Sequence, residues 1–235
     1  MVKISRSGVE QYLSCKRCFV LKYKHKISPP SLPFTLNNAV DNLCKNEFDY
    51  YRKRKKPHPI FIEHGIDVIP FDHAEIDNWR SNFKGIRFIN KKDGYNFGGA
   101  VDDIWVQPNG QLVIADVKAT SKNIFNWEET CQKYEFPKSY RRQLEMYQWL
   151  FRKNGFDVSN QAYLVYFNGL KNKLMFNQTL QFELHLIKIE CNDDWVEKKV
   201  IEASVLLNSG DFPEASKICE SCNYLRKRWN IAKSI

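Results

Sequence analysis

Long hydrophobic runs are missing from this sequence. No stretch approaches the ~18 apolar residues of a membrane span, which excludes a helical membrane protein. The opening Met1-Val2-Lys3-Ile4-Ser5-Arg6 lacks the apolar stretch of a secretory signal, so a cytoplasmic, intracellular location is expected. Internal repeats and low-complexity linkers are absent too. So are a phosphate-binding glycine loop, a dinucleotide fingerprint and a nucleophile triad, and with them the small-molecule enzymes built on those motifs. Acidic residues are the scarcer charge: 27 Asp and Glu against 36 Lys and Arg leave a net charge of +9.

What is present is enough to fold. Of 235 residues, 43% are apolar and 14% aromatic, which supplies a sizeable core and excludes wholesale disorder. The length suits a single domain over 1–235, enlarged or with a small appendage. The positive surplus favours a polyanionic partner such as nucleic acid. Seven cysteines without a secretory leader point to reduced thiols or metal ligands, not to a disulfide scaffold.

Ser7-Gly8-Val9-Glu10 fits a capping box and predicts a helix running toward Tyr23. Ser28-Pro29-Pro30-Ser31-Leu32-Pro33 reads as a loop. A second helix is expected from about Leu36 to Arg54, with Leu36, Val40, Leu43 and Phe48 as its apolar stripe, ended by Pro57-His58-Pro59. Another lies near Ala74 to Phe83. The middle is strand-like over Arg87–Asn90, Gly98–Gln107 and Gln111–Ala119, the last two joined at Pro108-Asn109-Gly110. A long helix from about Ser139 to Lys153 closes on Asn154-Gly155. Gln161–Phe167 and Leu180–Glu190 are further strands, and Asp193–Leu207 is a last amphipathic helix. This order predicts an α/β fold, a sheet with helices on both sides.

The sharpest chemistry lies on the central hairpin. A three-residue loop at Pro108-Asn109-Gly110 pairs Gln107 with Gln111 and sets Asp102 opposite Asp116; a two-residue loop at Asn109-Gly110 shifts the pairing by one. Two carboxylates ~5 Å apart repel, and a hard cation between them resolves the conflict. Lys118 is two residues beyond Asp116 and shares its face, where it could orient a metal-bound water or stabilise charge on a phosphate. Asp116 sits among Leu112, Val113, Ile114, Ala115 and Val117, and an ionised group there needs a partner. Asp103 points to the other face unless the register slips. The plain alternative is an edge hairpin with incidental charges.

Gly99-Ala100-Val101-Asp102, then Asp116-Val117-Lys118, then Gln143-Leu144-Glu145-Met146-Tyr147 run in order along strand, strand and helix. In that order and spacing the chain resembles the PD-(D/E)xK nuclease superfamily, above all its RecB-type branch, which includes the CRISPR-adaptation exonucleases. The resemblance covers roughly Ser7 to Cys222. It implies a restriction-endonuclease-like fold: a central mixed sheet flanked by helices. It also implies metal-dependent phosphodiester hydrolysis, with magnesium or manganese held by Asp102, Asp116 and the Val117 carbonyl. Lys118 would position the attacking water, and Gln143 and Tyr147 would support the site or contact nucleic acid. Ordinary helix surface is the other reading of that pair. RecB-type members usually place a metal-binding His on the first core helix. Here the stretch is Asn37-Asn38-Ala39-Val40-Asp41, so Asp41 is the candidate replacement and Glu47, two turns away, a weaker one.

Cys15-Lys16-Arg17-Cys18 and Cys219-Glu220-Ser221-Cys222 are two CxxC pairs. Four thiolates suit one zinc ion or an iron–sulfur ([4Fe-4S]) cluster, and either would clasp residues 1–25 and 211–235 into a Cys-rich subdomain joining the termini. Free thiols are the alternative. Cluster-bearing RecB-type nucleases use one N-terminal and three C-terminal cysteines; the third is expected near Arg228, where none stands, and Cys18 is the candidate substitute. The resulting two-plus-two pattern is the more zinc-like. Cys44, Cys131 and Cys191 have no pairing pattern.

Arg52, Arg54 and Lys56, in the run Tyr50 to Lys56, are candidate phosphate contacts, as are Arg141 and Arg142, which abut Gln143. Leu225-Arg226-Lys227-Arg228-Trp229 is a further basic run, and each such run is otherwise a solvated face. Trp79, Trp105, Trp127, Trp149 and Trp195 read as core or rim. The expectation is a metal-dependent nuclease acting on DNA. Its rivals are an inactive nucleic-acid-binding scaffold and a subunit of a repair or defence assembly with a helicase or other partner.

Overall fold

The computed structural model of the chain describes residues 1–30 and 35–233. Ser31-Leu32-Pro33 of the expected loop and Ser234-Ile235 of the expected Cys-rich tail lie outside the described residues.

The N-terminal stretch forms β1 (Val2–Ser5), then α1 (Arg6–Ser14) and α2 (Lys16–His25). Ser5, not Ser7, caps α1: it is extended, and its Oγ accepts from the Gly8 N–H at 3.1 Å. The single helix expected toward Tyr23 breaks at Cys15, whose φ of −158° and ψ of 106° are extended. Next comes α3 (Thr35–Arg52), whose buried residues are Val40, Cys44, Phe48 and Arg52. Strict four-residue spacing defines this stripe, so Leu36 and Leu43 are exposed despite being apolar. The middle of the chain runs α4 (Pro59–Glu63), β2 (Ile69–Pro70), α5 (Ile76–Arg80), β3 (Ile86–Asn90), β4 (Tyr95–Gly99), β5 (Asp103–Val106) and β6 (Leu112–Thr120). The remainder is α6 (Trp127–Lys133), α7 (Phe136–Lys153), β7 (Val158–Gly169), β8 (Phe182–Glu190), α8 (Val196–Asn208) and α9 (Glu220–Ala232).

The strand expected over Gly98–Gln107 is split. Its first residues end β4, which pairs parallel to β1 in a sheet ordered β1-β4-β3, whereas β5 belongs to a sheet ordered β2-β5-β6-β7-β8. Ala100-Val101-Asp102 is the irregular link where the chain changes sheets.

The chain forms two compact units. One comprises residues 1–33, 87–98 and 194–235 and includes both CxxC pairs; α8 packs on β1, α1 and α2 within it. There Tyr12 donates to Glu202 at 3.0 Å, and burial plus that carboxylate pushes the phenol up to about 12. The other unit comprises residues 34–86 and 99–193 and holds the five-stranded mixed sheet. Leu112 to Asp116 are all buried, the unbroken pattern of a strand covered on both faces. Helix α3 packs on β6 with Cys44 and Phe48 against Val113 and Ala115, while α7 packs on β6 and β7. The fold is thus the mixed sheet flanked by helices that the motif order implied. No helix among the described residues is long and apolar enough to cross a membrane.

Candidate functional site

Asp103 pairs with Ala115, Ile104 with Ile114, Trp105 with Val113 and Val106 with Leu112, and the Gln107 N–H bonds to the Gln111 carbonyl at 2.9 Å. This is the three-residue-loop register, and one step further it brings Asp102 beside Asp116. Asp102 lies just before β5, and its Oδ2 accepts from the Val117 N–H at 2.9 Å.

Asp116 is fully buried. Its Oδ2 accepts from Lys118 and its Oδ1 from the Gln143 amide at 2.6 Å. Lys118 also lies 3.5 Å from the Val117 carbonyl. Burial works against its charge, but Asp116 and Asp102 outweigh burial, and the ammonium is held above its usual value. Lys118 is therefore a cation at neutral pH.

One face of α7 holds this arrangement in place. The Gln143 amide spans Asp116 and, at 3.4 Å, the Tyr147 hydroxyl, which in turn donates to the Ala100 carbonyl. The relay ties the strand carrying Asp116 to the link carrying Asp102, and every member has a partner. Gln143 and Tyr147 are both buried, so the helix-surface reading of the pair does not hold.

Asp41 joins the group from α3. Lys45 reaches Asp41 at 2.7 Å and Asp102 at 3.7 Å, so one ammonium links the two carboxylates. Burial and then the Asp102 charge push the Asp41 carboxyl up, against the pull of Lys45. A polar cleft of about 490 Å³ opens beside Asp41 and Lys45, lined also by Asn38, Asn42 and Asn46. Glu47 is turned elsewhere, toward His58 at 3.0 Å. Sequence reasoning missed Lys45, although its place four residues after Asp41 on a helix was a usable signal.

Asp41 Oδ1 is buried without a hydrogen-bond partner. Asp41, Asp102, Asp116 and the Val117 carbonyl are oxygen donors of the hard kind magnesium or manganese takes, and by donor type they could hold such an ion.

Arg52 is the clear correction. Expected to meet phosphate, it is 3% exposed and holds Asp103 at 2.8 Å, with Asp49 against its Nε at 2.9 Å. Arg80 completes the network, reaching Asp103 and Asp49 at 2.8 Å each. The sign of its charge suggested a solvent role, but its place on the buried stripe of α3 forced an internal partner. Asp103 thus points away from the site and anchors the start of β5 beside Asp102. Replacing it leaves two guanidinium groups sharing the single carboxylate of Asp49, so Asp103→Ala is expected to cost about 3 kcal/mol in urea unfolding, and a loss under ~1 kcal/mol would show that the network does not hold the hairpin. Arg54, Lys56 and Arg141 are exposed, and Arg54 stacks on Tyr50 at 3.5 Å. Arg142 is half-buried.

The four paired cysteines converge within the first unit. Cys18 Sγ lies 3.4 Å from that of Cys222 and 3.6 Å from that of Cys219; Cys15 lies 3.9 Å from Cys222. All four sulfurs fall within 4.8 Å of one another, the one such gathering of three or more metal-type side chains among the described residues. Because the helix breaks at Cys15, that residue precedes α2 while Cys18 sits in its first turn. Burial pushes the Cys15 thiol up, yet hydrogen bonds to the Cys18 and Ser216 backbone outweigh it and bring it down to about 7. These four residues could hold a zinc ion or an iron–sulfur cluster. Cys44 and Cys191 are buried and Cys131 is exposed, each apart from the cluster.

No curated protein matches the sequence significantly. Among solved structures, the chain is similar to the crystal structure of SSO0001, with 14% identity and a TM-score of 0.44, covering 90% of this chain and 79% of that one. It is also similar to a candidate exonuclease from Eubacterium rectale, with 14% identity and a TM-score of 0.47, covering 94% of this chain and 87% of that one. The model of the PD-(D/E)XK nuclease superfamily matches residues 36–226, from the helix that carries Asp41 to beyond the second cysteine pair. A match of that extent takes in the hairpin, its lysine and the helix that braces them, and the chain belongs to the PD-(D/E)XK nuclease superfamily.

Proposed function

We propose that the chain is a metal-dependent nuclease that hydrolyses DNA. The observation that carries this reading is the convergence of Asp102, Asp116 and Lys118 on one hairpin, with the first two joined through a single α7 face. Asp102, Asp116 and the Val117 carbonyl would hold a divalent cation, with Asp41 in the place of the family's usual histidine. Bound there, the cation supplies Lewis-acid charge to a phosphate oxygen and lowers the pKa of a water.

The chain's own residues do the rest. Lys118 would serve as a positive charge and hydrogen-bond donor toward the attacking water and the phosphate. Gln143 fixes the rotamer of Asp116. Tyr147 fixes the Ala100 carbonyl and with it the turn into Asp102. Arg141, exposed two residues before Gln143, is positioned to neutralise neighbouring phosphates.

End-labelled DNA, single- and double-stranded, tests this directly. Incubation with magnesium or manganese should yield cleavage that EDTA or Asp116→Ala abolishes. DNA binding without cleavage under either metal would instead support a non-catalytic scaffold, a reading the Asp41-for-histidine exchange favours.

We also propose that the cysteine cluster holds zinc. A tetrahedron of ~2.3 Å zinc–sulfur bonds has edges of ~3.8 Å; three sulfur pairs here stand 3.4–3.9 Å apart, and all four sulfurs lie within 4.8 Å of one another. A four-iron cluster interposes a cube of iron and sulfide, which spreads its thiolates wider.

A further inference from the structure

Beyond Lys118 the surface becomes aromatic. Its ammonium lies 4.7 Å from the centre of the Tyr140 ring. From Tyr140 the rings continue without a gap: Phe136 is 5.4 Å away, and Tyr134 is 5.4 Å beyond it with the two planes 30° apart. Tyr134 is 42% exposed, while Phe136 and Tyr140 are half-buried, so the row is open along one side.

Lys122 is threaded through this row. Its ammonium lies 5.3 Å from the centre of the Tyr134 ring and 6.0 Å from that of Phe136. Its backbone is held at both its N–H and its carbonyl. Fully buried Asn168 accepts from the Lys122 N–H at 2.7 Å and donates to the Lys122 carbonyl at 3.2 Å. Ser121 adds a bond to the Gly169 carbonyl at 2.9 Å. The nearby Glu135 is paired with Lys138 at 2.9 Å, which offsets its charge against an incoming polyanion.

One exposed and two half-buried rings with a cation beside them match an unpaired nucleic-acid strand, whose bases offer flat faces and whose backbone offers one charge per nucleotide. Duplex DNA keeps its bases stacked on one another and presents phosphates alone to such a surface. We propose that Tyr134, Phe136 and Tyr140, with Lys122 between them, form a track that binds the single-stranded end of the substrate and feeds it to Lys118. This rests on the nuclease reading for the direction of feeding, but the binding itself does not need cleavage.

The test is therefore made in EDTA. Fluorescence anisotropy would follow labelled oligothymidylate, oligouridylate and a blunt DNA duplex, with wild type, Tyr134→Ala, Tyr134→Trp and Lys122→Ala. Tyr134→Ala should weaken binding of the single strands by about 10-fold and leave the duplex unchanged, while Tyr134→Trp keeps the stacking ring and the affinity. Lys122→Ala should weaken single-strand binding and lower its salt dependence by about one phosphate's worth. Unchanged single-strand affinity in Tyr134→Ala, or equal weakening on the duplex, would overturn the track even if the protein cleaves DNA. Selective loss of single-strand binding in a protein that cleaves nothing would uphold the track and remove the nuclease reading. Tyr134 is exposed enough that thermal unfolding should not move.

Discussion

Lys118→Ala is expected to slow metal-dependent cleavage by about 10²–10³-fold at saturating DNA, with the Michaelis constant changed far less. The reason is its charge state. Asp116 and Asp102 hold the ammonium above its usual value, and on the proposed reading its contribution would be to the charge that builds on phosphate and water during reaction. Gln143→Ala should show a smaller loss, about 10-fold, because it positions Asp116 without touching the reacting atoms. Initial rates on end-labelled DNA give both numbers, and circular dichroism checks that the variants fold. Full activity in Lys118→Ala would end its assigned role.

Removing the metal from the cysteine cluster is the second large effect. Purified protein should carry about one zinc per chain, with no visible iron–sulfur absorption. Cys219→Ser should lose that zinc. Metal binding to four thiolates is folding free energy, and for a chain of this length each kcal/mol moves Tm by about 2–4 °C. A fall of about 5–10 °C is therefore expected in Cys219→Ser, measured by thermal unfolding. Iron and a brown colour would replace zinc with a cluster. No bound metal together with an unmoved Tm would remove the clasp.

How much of this was legible in the sequence depends on the range of the signal. Pro108-Asn109-Gly110 narrowed the hairpin to two registers, of which the structure adopts the three-residue loop, because a short loop fixes strand pairing locally. The site order followed from three motifs whose spacing survives in one chain. Arg52 was misread because its partner Asp103 is 51 positions away, although its place four residues after Phe48 already put it on a buried stripe. The break at Cys15 had no local marker: nothing among Tyr12, Leu13 and Ser14 forbids a helix, and the extended backbone belongs with the gathering of the four sulfurs. β1 was missed for a similar reason. Four residues alternate too briefly to register, and the strand pairs with Tyr95 to Gly98, far along the chain. The ends of the long helices were off by a few residues, as fraying and caps dictate.

The distance between the cysteine pairs has a consequence for synthesis. Cys18 leaves the ribosome 201 residues before Cys219, an interval of ~10–40 s at ~5–20 residues per second. Through that interval the earlier pair lacks the two later thiols for a shared ion, and for most of it α8, which packs on β1 and α1, has not yet been made. Residues 34–86 and 99–193, by contrast, are all translated before the second pair emerges. A chain ending before α8 would thus leave α1 and α2 without that packing, and one clipped between α8 and Cys219 would leave Cys15 and Cys18 without the second pair.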